Sequence, residues 1–280
     1  MDFPYDHGFE RIAMTEHQTA APVGIATGEP PRRKKSNSAS FELAPLQPDA
    51  TADTTQNRAY RALKMAVLGG AFYPGTIVTL AKLSDMLGTS EMPVREALKR
   101  LMAEGAFEAL PNRSARIPIL SRTRVKQILD LRVELEGRAA AQAAEHMSRR
   151  HIDQLAALDA EMNLALSNRQ LQRYVALNME FHFLIYRLAD NEPLLTLIEA
   201  LWLRMAPVVA FNLTQVDEAG AAAQFDRAGL AHHGNIIKAF EAQDPRRASE
   251  EIRNDLLHPS TFARYFDELP SMLDSLKARG

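Results

Sequence analysis

A single glycine, Gly88, divides the stretch Leu80–Gly105 into two short helices, and that division constrains the chain more than any other feature. Before it, Leu80, Leu83, Met86 and Leu87 recur at helical spacing. Gly88 suits the left-handed stop of a helix, Ser90 is placed to cap the next one, and Pro93 is tolerated in a first turn. Val94, Ala97, Leu98 and Leu101 form the apolar stripe of the second helix, which ends at Gly105. Two short helices joined by a tight turn make a helix-turn-helix unit, whose second helix ordinarily enters a DNA major groove. The same pattern also serves any two-helix hairpin of an α-helical protein.

The residues downstream favour the first reading. Phe107–Leu110 and Ala115–Ile119 are expected to be two short strands around a basic tip, Pro111-Asn112-Arg113-Ser114. Upstream, Arg58–Gly69 reads as another helix, with Tyr60, Leu63, Val67 and Leu68 inward and Phe72–Gly75 as the turn after it. Helix, helix, helix, hairpin is a winged helix. The stretch Gln56–Leu120 resembles the GntR family of bacterial transcription regulators, on Val94–Leu98, Leu101, Glu104-Gly105, Pro111–Arg113 with Ala115-Arg116, and Pro74-Gly75 in the family's first turn. The resemblance implies binding to double-stranded operator DNA.

Charge supports that expectation only when read locally. The chain of 280 residues has a net charge of −2, but residues 56–120 hold nine Lys/Arg against five Asp/Glu. A basic winged helix on an acidic body is a DNA-binding layout. The chain has no cysteine, which excludes disulfides and thiolate metal sites and suits the reducing cytoplasm. No apolar run approaches the roughly 20 residues of a membrane span, and no signal segment opens the chain, so no membrane role is expected.

Four segments are expected. Residues 1–55 lack a sustained apolar period and read as a mostly disordered tail carrying a basic cluster, Arg32–Lys35. Residues 56–120 are the winged helix. Residues 121–258 lack strand signals and read as amphipathic helices near Arg122–Met147, His151–Leu166, Leu171–Ala189, Pro193–Asn212, Glu218–Ala242 and Pro245–Leu257. Residues 259–280 hold a helical extension, Thr261–Lys277. The fold class is therefore mostly α: an N-terminal winged helix-turn-helix and a C-terminal all-α bundle.

The bundle also resembles a known partner of the GntR winged helix, the FCD domain, named for the C-terminal domain of the fatty-acid regulator. The carrying residues are Arg132 with Glu136, Asn178 to His182, His233 before Ile236, and Ala248, Ile252-Arg253 and Asp255. The family's usual metal set is one Asp and three His, and the matching positions here are Asn178, His182, His233 and Asp255. One carboxylate remains, but one imidazole is gone and an amide oxygen replaces an acid. An O/N donor set of this kind suits zinc, manganese or nickel. Each residue also has a structural alternative. His182 lies among apolar neighbours and fits a buried histidine; Asp255 fits a solvated acid beside Arg253; His232 competes with His233, which only spacing favours. The family resemblance implies a small organic-acid effector, gripped by Arg132 and less strongly by Arg204; Arg132 and Glu136 are equally spaced for a surface ion pair. Trp202 and Phe211 read as core.

On the DNA side the expected face carries Thr89, Ser90, Glu91, Arg95 and Lys99, with Arg100, Arg113 and Arg116 beside it. Arg95 matches the family's helix arginine and suits guanine or phosphate; Lys99 and Arg100 suit phosphates, and Arg113 a minor-groove or phosphate contact. Two departures from the family stand out. Glu91 occupies a position where the family usually has arginine, and Ser114 replaces a wing glycine, which predicts strain in the turn. Both point to an altered or weaker operator. The expected function is thus an effector-controlled DNA-binding regulator, repressing without effector, and a homodimer because one winged helix spans too few base pairs. Two other classes stay open: a sensor or interaction module with weakened DNA binding, and a metal-dependent enzyme, against which stands the lack of an HExxH, nucleophile-elbow or P-loop motif.

Overall fold

The computed structural model describes residues 43, 45–46, 54–214, 222–258 and 262–277. Helix α1, Thr55–Leu68, starts at Thr54, whose side chain accepts from the Asn57 amide at 3.2 Å. It buries Ala59, Leu63, Val67 and Leu68. A short strand, β1 (Ile77–Thr79), follows and runs directly into α2 (Leu80–Leu87), with Thr79 capping the Lys82 amide. Gly88 ends α2 at φ 62°, the left-handed stop expected of it. Helix α3 is Glu91–Ala103; Ser90 stands at its cap position in extended backbone but makes no side-chain cap bond.

Strands β2 (Glu108–Leu110) and β3 (Ser114–Arg116) form the hairpin. The sheet has three strands, not two, in the order β1-β3-β2, all antiparallel. Three residues with only Val78 buried leave too short an alternation for β1 to be read from sequence. The expected strain at Ser114 is corrected: it lies in β3 opposite Leu110, and the left-handed residues of the turn are Asn112 (φ 60°) and Arg113 (φ 55°).

Among the described residues seven further helices follow: α4 (Arg122–His146), α5 (Arg149–Ser167), α6 (Leu171–Leu188), α7 (Glu192–Thr214), α8 (Ala222–Glu241), α9 (Pro245–Leu256) and α10 (Ala263–Lys277). Ser121, Ser148 and Asp244 cap α4, α5 and α9 through their side chains. Helix α4 packs chiefly on α9 and also on α6 and α7, while α5 packs on α6 and α8. Helix α7 is long and apolar enough to cross a membrane by composition, contrary to the expectation from sequence; most of it is buried here inside the bundle. Helix α10 packs on α7 and secures the linker: the Tyr265 hydroxyl donates to the Leu120 carbonyl at 2.7 Å, and the Tyr265 amide donates to Asn212 Oδ1 at 3.0 Å.

Part of the segment expected to be a disordered tail docks on the winged helix. The Leu46 amide donates to the Leu87 carbonyl at 3.0 Å, and Leu43 and Leu46 pack against the core. The basic cluster Arg32–Lys35 lies outside the described residues.

The winged helix and the bundle share a direct contact between α1 and α7. Lys64 Nζ lies 2.8 Å from Glu199 Oε2, and Arg204 Nε donates to the Glu104 carbonyl at 3.0 Å. Gly70, at φ +78°, sits so close to the bundle that a Cβ there would lie 2.6 Å from Val175 Cγ1 and 3.0 Å from Ala210 Cβ. Gly70→Ala should therefore destabilise the fold by about 2 kcal/mol, combining left-handed strain with overpacking. A urea melt of the full chain checks this; an unchanged midpoint would mean that α1 and α7 separate at no cost.

Candidate functional site

Two clusters hold the chemistry. The first is on the winged helix. Glu91, the first residue of α3, places Oε2 3.5 Å from Arg95 Nη2 and 3.6 Å from Arg113 Nη1. The acid that departs from the family pattern thus bridges the recognition helix to the wing tip. Arg113 is 73% exposed, and Lys99 is exposed and paired with Glu96 at 2.8 Å. Thr89 and Ser90 precede α3, Ser90 exposed and Thr89 half-buried. Two further residues of the expected DNA face have internal partners. The Arg100 guanidinium stacks on the Tyr60 ring at 3.7 Å and bonds Asn57 Oδ1 at 3.2 Å, so it braces α1. Arg116 is paired with Glu108 across the β2–β3 register at 2.5 Å, so it braces the wing stem.

The second cluster lies inside the bundle, and four helices build it. From α4, Arg132 (2% exposed) gives Nε to Glu136 Oε1 at 2.5 Å and Nη2 to Oε2 at 3.3 Å; Glu136 is fully buried. The expected alternative of a surface pair is corrected: spacing put the two on one face, and the bundle covers that face. From α6, Tyr186 donates its hydroxyl to Glu136 Oε2 at 2.5 Å, and its oxygen lies 3.2 Å from His182 Nδ1. Burial, then the Glu136 charge, push the Tyr186 phenol well above its ordinary pKa, so it keeps its proton. His182 Nε2 lies 3.4 Å from Asp255 Oδ2 on α9. His233, on α8, is buried, its ring centroid 5.6 Å from that of His182. His182, His233 and Asp255 each offer a ligand atom within 4.8 Å of the others. Asn178 stands one helical turn before His182 on α6 and is half-buried. His232 is paired with His258 instead, ring to ring at 5.3 Å.

Protons decide what this donor set can hold. Glu136 accepts the Tyr186 O–H, so the tyrosine oxygen is left to accept from His182 Nδ1–H. Nε2 then faces Asp255 either with a lone pair or, on a second proton, as a cation. Burial alone would raise the Asp255 pKa, but the bond to His182 and the charges of His182, His233 and His232 outweigh it and hold the carboxyl below its usual range. By their clustering alone, two imidazoles and one carboxylate whose ligand atoms lie within 4.8 Å of one another, these residues fit the donor set of a divalent metal.

Two sequence readings change here. Trp202, on α7, is buried but also walls the site: the Arg132 guanidinium lies 4.5 Å over its ring, and His182 is 5.6 Å away. Arg204 lies elsewhere, against Glu104 and Gly105 of the winged helix, and is no part of this cluster. Tyr186 was missed, although it continues the stripe Asn178, His182 at i+4.

A winged helix joined to a helical bundle with a buried polar site is the architecture of a transcriptional regulator. Residues 55–117 match bacterial regulatory proteins of the gntR family, and residues 127–258 match the FCD domain. The chain belongs to the GntR family, in its FCD-containing form. It is 28% identical over 182 residues to the HTH-type transcriptional regulator McbR of Escherichia coli K12, covering 65% of this chain and 80% of that one. It is 26% identical over 149 residues to the HTH-type transcriptional repressor RspR of the same organism, covering 53% and 63%. The solved structure of E. coli McbR/YncC superposes with a TM-score of 0.69 at 23% identity, over 77% of this chain and 99% of that one, a likeness of fold.

Proposed function

We propose that the chain is a homodimeric, cytoplasmic repressor that binds operator DNA through α3 and the wing, and is controlled by a small organic acid held in the bundle beside a divalent metal. One observation carries the link between the two ends. Helix α7 bears Trp202 at the bundle site and, within the same two turns, Glu199 and Arg204 at the winged helix. A change in how Arg132 stacks on Trp202 therefore acts on the helix that grips Lys64 and Glu104. The effector shifts operator affinity by binding the two placements of the winged helix unequally.

His182, His233 and Asp255, with Asn178 beside them, would hold the metal: zinc, manganese or nickel. When bound it supplies a Lewis acid for a carboxylate oxygen. Arg132 supplies the organic cation; Nε and Nη2 are committed to Glu136, and Nη1 is the donor offered to an acid. The repressor named among the relatives supports the sign of control, and the isologous surfaces of a dimer would present two winged helices to paired half-sites.

The test starts from operator selection on random duplexes with the full chain, followed by binding titrations. Arg95→Ala should weaken operator binding by about 1–3 kcal/mol, the usual worth of a base-reading arginine. Adding zinc with small carboxylates should lower the affinity of the wild type. A chain that selects no sequence, or binds DNA without regard to Arg95, would leave the sensor or interaction module as the reading.

A further inference from the structure

Besides Asp255 and Glu136, the bundle site holds a third carboxylate. Asp159, on α5, turns inward, and its Oδ1 lies 3.6 Å from His233 Nδ1. Both atoms are shut off from solvent, and neither has a hydrogen-bond partner within normal range. A buried carboxylate oxygen without a donor is costly, and a buried imidazole nitrogen is costly in the same way. Each is the other's nearest remedy. Phe181 closes one side of the His233 ring at 4.6 Å between centroids, which limits the ring to a rotation about its own bond.

We infer that Asp159 is a positioning residue for the bundle site: its carboxylate accepts Nδ1–H of His233 and so leaves Nε2 as the nitrogen for a cation. This rests on the reading of His182, His233 and Asp255 as metal ligands. Metal-bound histidines commonly give their second N–H to a carboxylate, which fixes the tautomer and strengthens the donor. The site then has matched supports. Glu136 sets the His182 tautomer through Tyr186, and Asp159 sets that of His233 directly. The two acids come from different helices, α4 and α5, so each ligand histidine is oriented by a separate element. Asp159 also offsets the missing imidazole of the family set, because a histidine held by a carboxylate is the more basic ligand.

The experiment uses the full chain, wild type and Asp159→Asn, with zinc competed against a chromophoric chelator, and histidine ¹⁵N spectra on the same samples without metal. Asn keeps the size of Asp and removes the charge. The expected result is zinc affinity lower by roughly 10–100-fold at unchanged stoichiometry, together with a wild-type spectrum in which His233 is the Nδ1–H tautomer. Asp159→Glu should recover part of the affinity. Zinc binding by the wild type with affinity within twofold in Asp159→Asn, or a wild-type His233 that carries its proton on Nε2, would overturn the role of Asp159 alone. No zinc binding by the wild type would overturn the metal reading itself, and the part given to Asp159 with it.

Discussion

Glu136→Ala is expected to remove about 3–5 kcal/mol of stability, enough to unfold much of a chain of ordinary stability. The substitution leaves a guanidinium 2% exposed with no carboxylate, and leaves the Tyr186 hydroxyl without the oxygen it donates to. Arg132 is buried in the bundle, so its charge stays largely desolvated and loses its compensating partner. The companion change makes the argument specific. Replacing both members, Arg132→Met with Glu136→Leu, removes the charge as well as its partner and should recover most of the loss, because a buried pair contributes little beyond cancelling its own desolvation. Urea melts at fixed protein concentration check both. A loss below about 1 kcal/mol in Glu136→Ala would mean that the guanidinium finds solvent or a second acid. The double variant should also lose its response to carboxylates, since it folds without the organic cation.

The second large effect concerns the metal. His182→Ala removes one of the three converging donors and should lower zinc affinity by more than about hundredfold, beyond the range of changes that only reorient a ligand. The loss has a thermal signature. Zinc at a thousand times its dissociation constant stabilises the native chain by about 4 kcal/mol, so a chelator should lower the melting temperature of the wild type. The His182→Ala melting curve should not move with chelator. Elemental analysis after dialysis measures the same difference directly: metal retained by the wild type and lost from the variant. If zinc, manganese and nickel all fail to bind the wild type, the two imidazoles are structural, and the proton on His182 Nε2 is the cation facing Asp255.

The helices were legible because their signals are local. Ser121, Pro193 and Pro245 mark helix starts in the sequence, and the observed starts fall within a residue of them. The convergence of His182, His233 and Asp255 was reachable because each belongs to a short motif. What was not legible depends on which faces the bundle covers. The spacing of Arg132 and Glu136 says that they meet; it cannot say that α6, α7 and α9 close over them. Arg204 and Trp202 lie two residues apart on α7 and so point different ways, one into the winged helix and one into the site. Asp159 carries no sequence signal, because its relation to His233 spans 74 residues and exists only when α5 packs on α8. The strand β1 escaped because three residues define no period, and its pairing partner lies beyond two helices.

The Glu91 bridge bears on how such a protein would search a genome. A reading surface that carries its own counter-charge displaces fewer bound cations when it touches a phosphate backbone, so random DNA retains it less. At an operator, the two arginines would exchange one internal acid for base edges and phosphates placed to receive them. Time spent on the wrong sequence shrinks more than time spent on the right one, and the ratio of the two, weighed against the vast number of competing sites, is what sets occupancy.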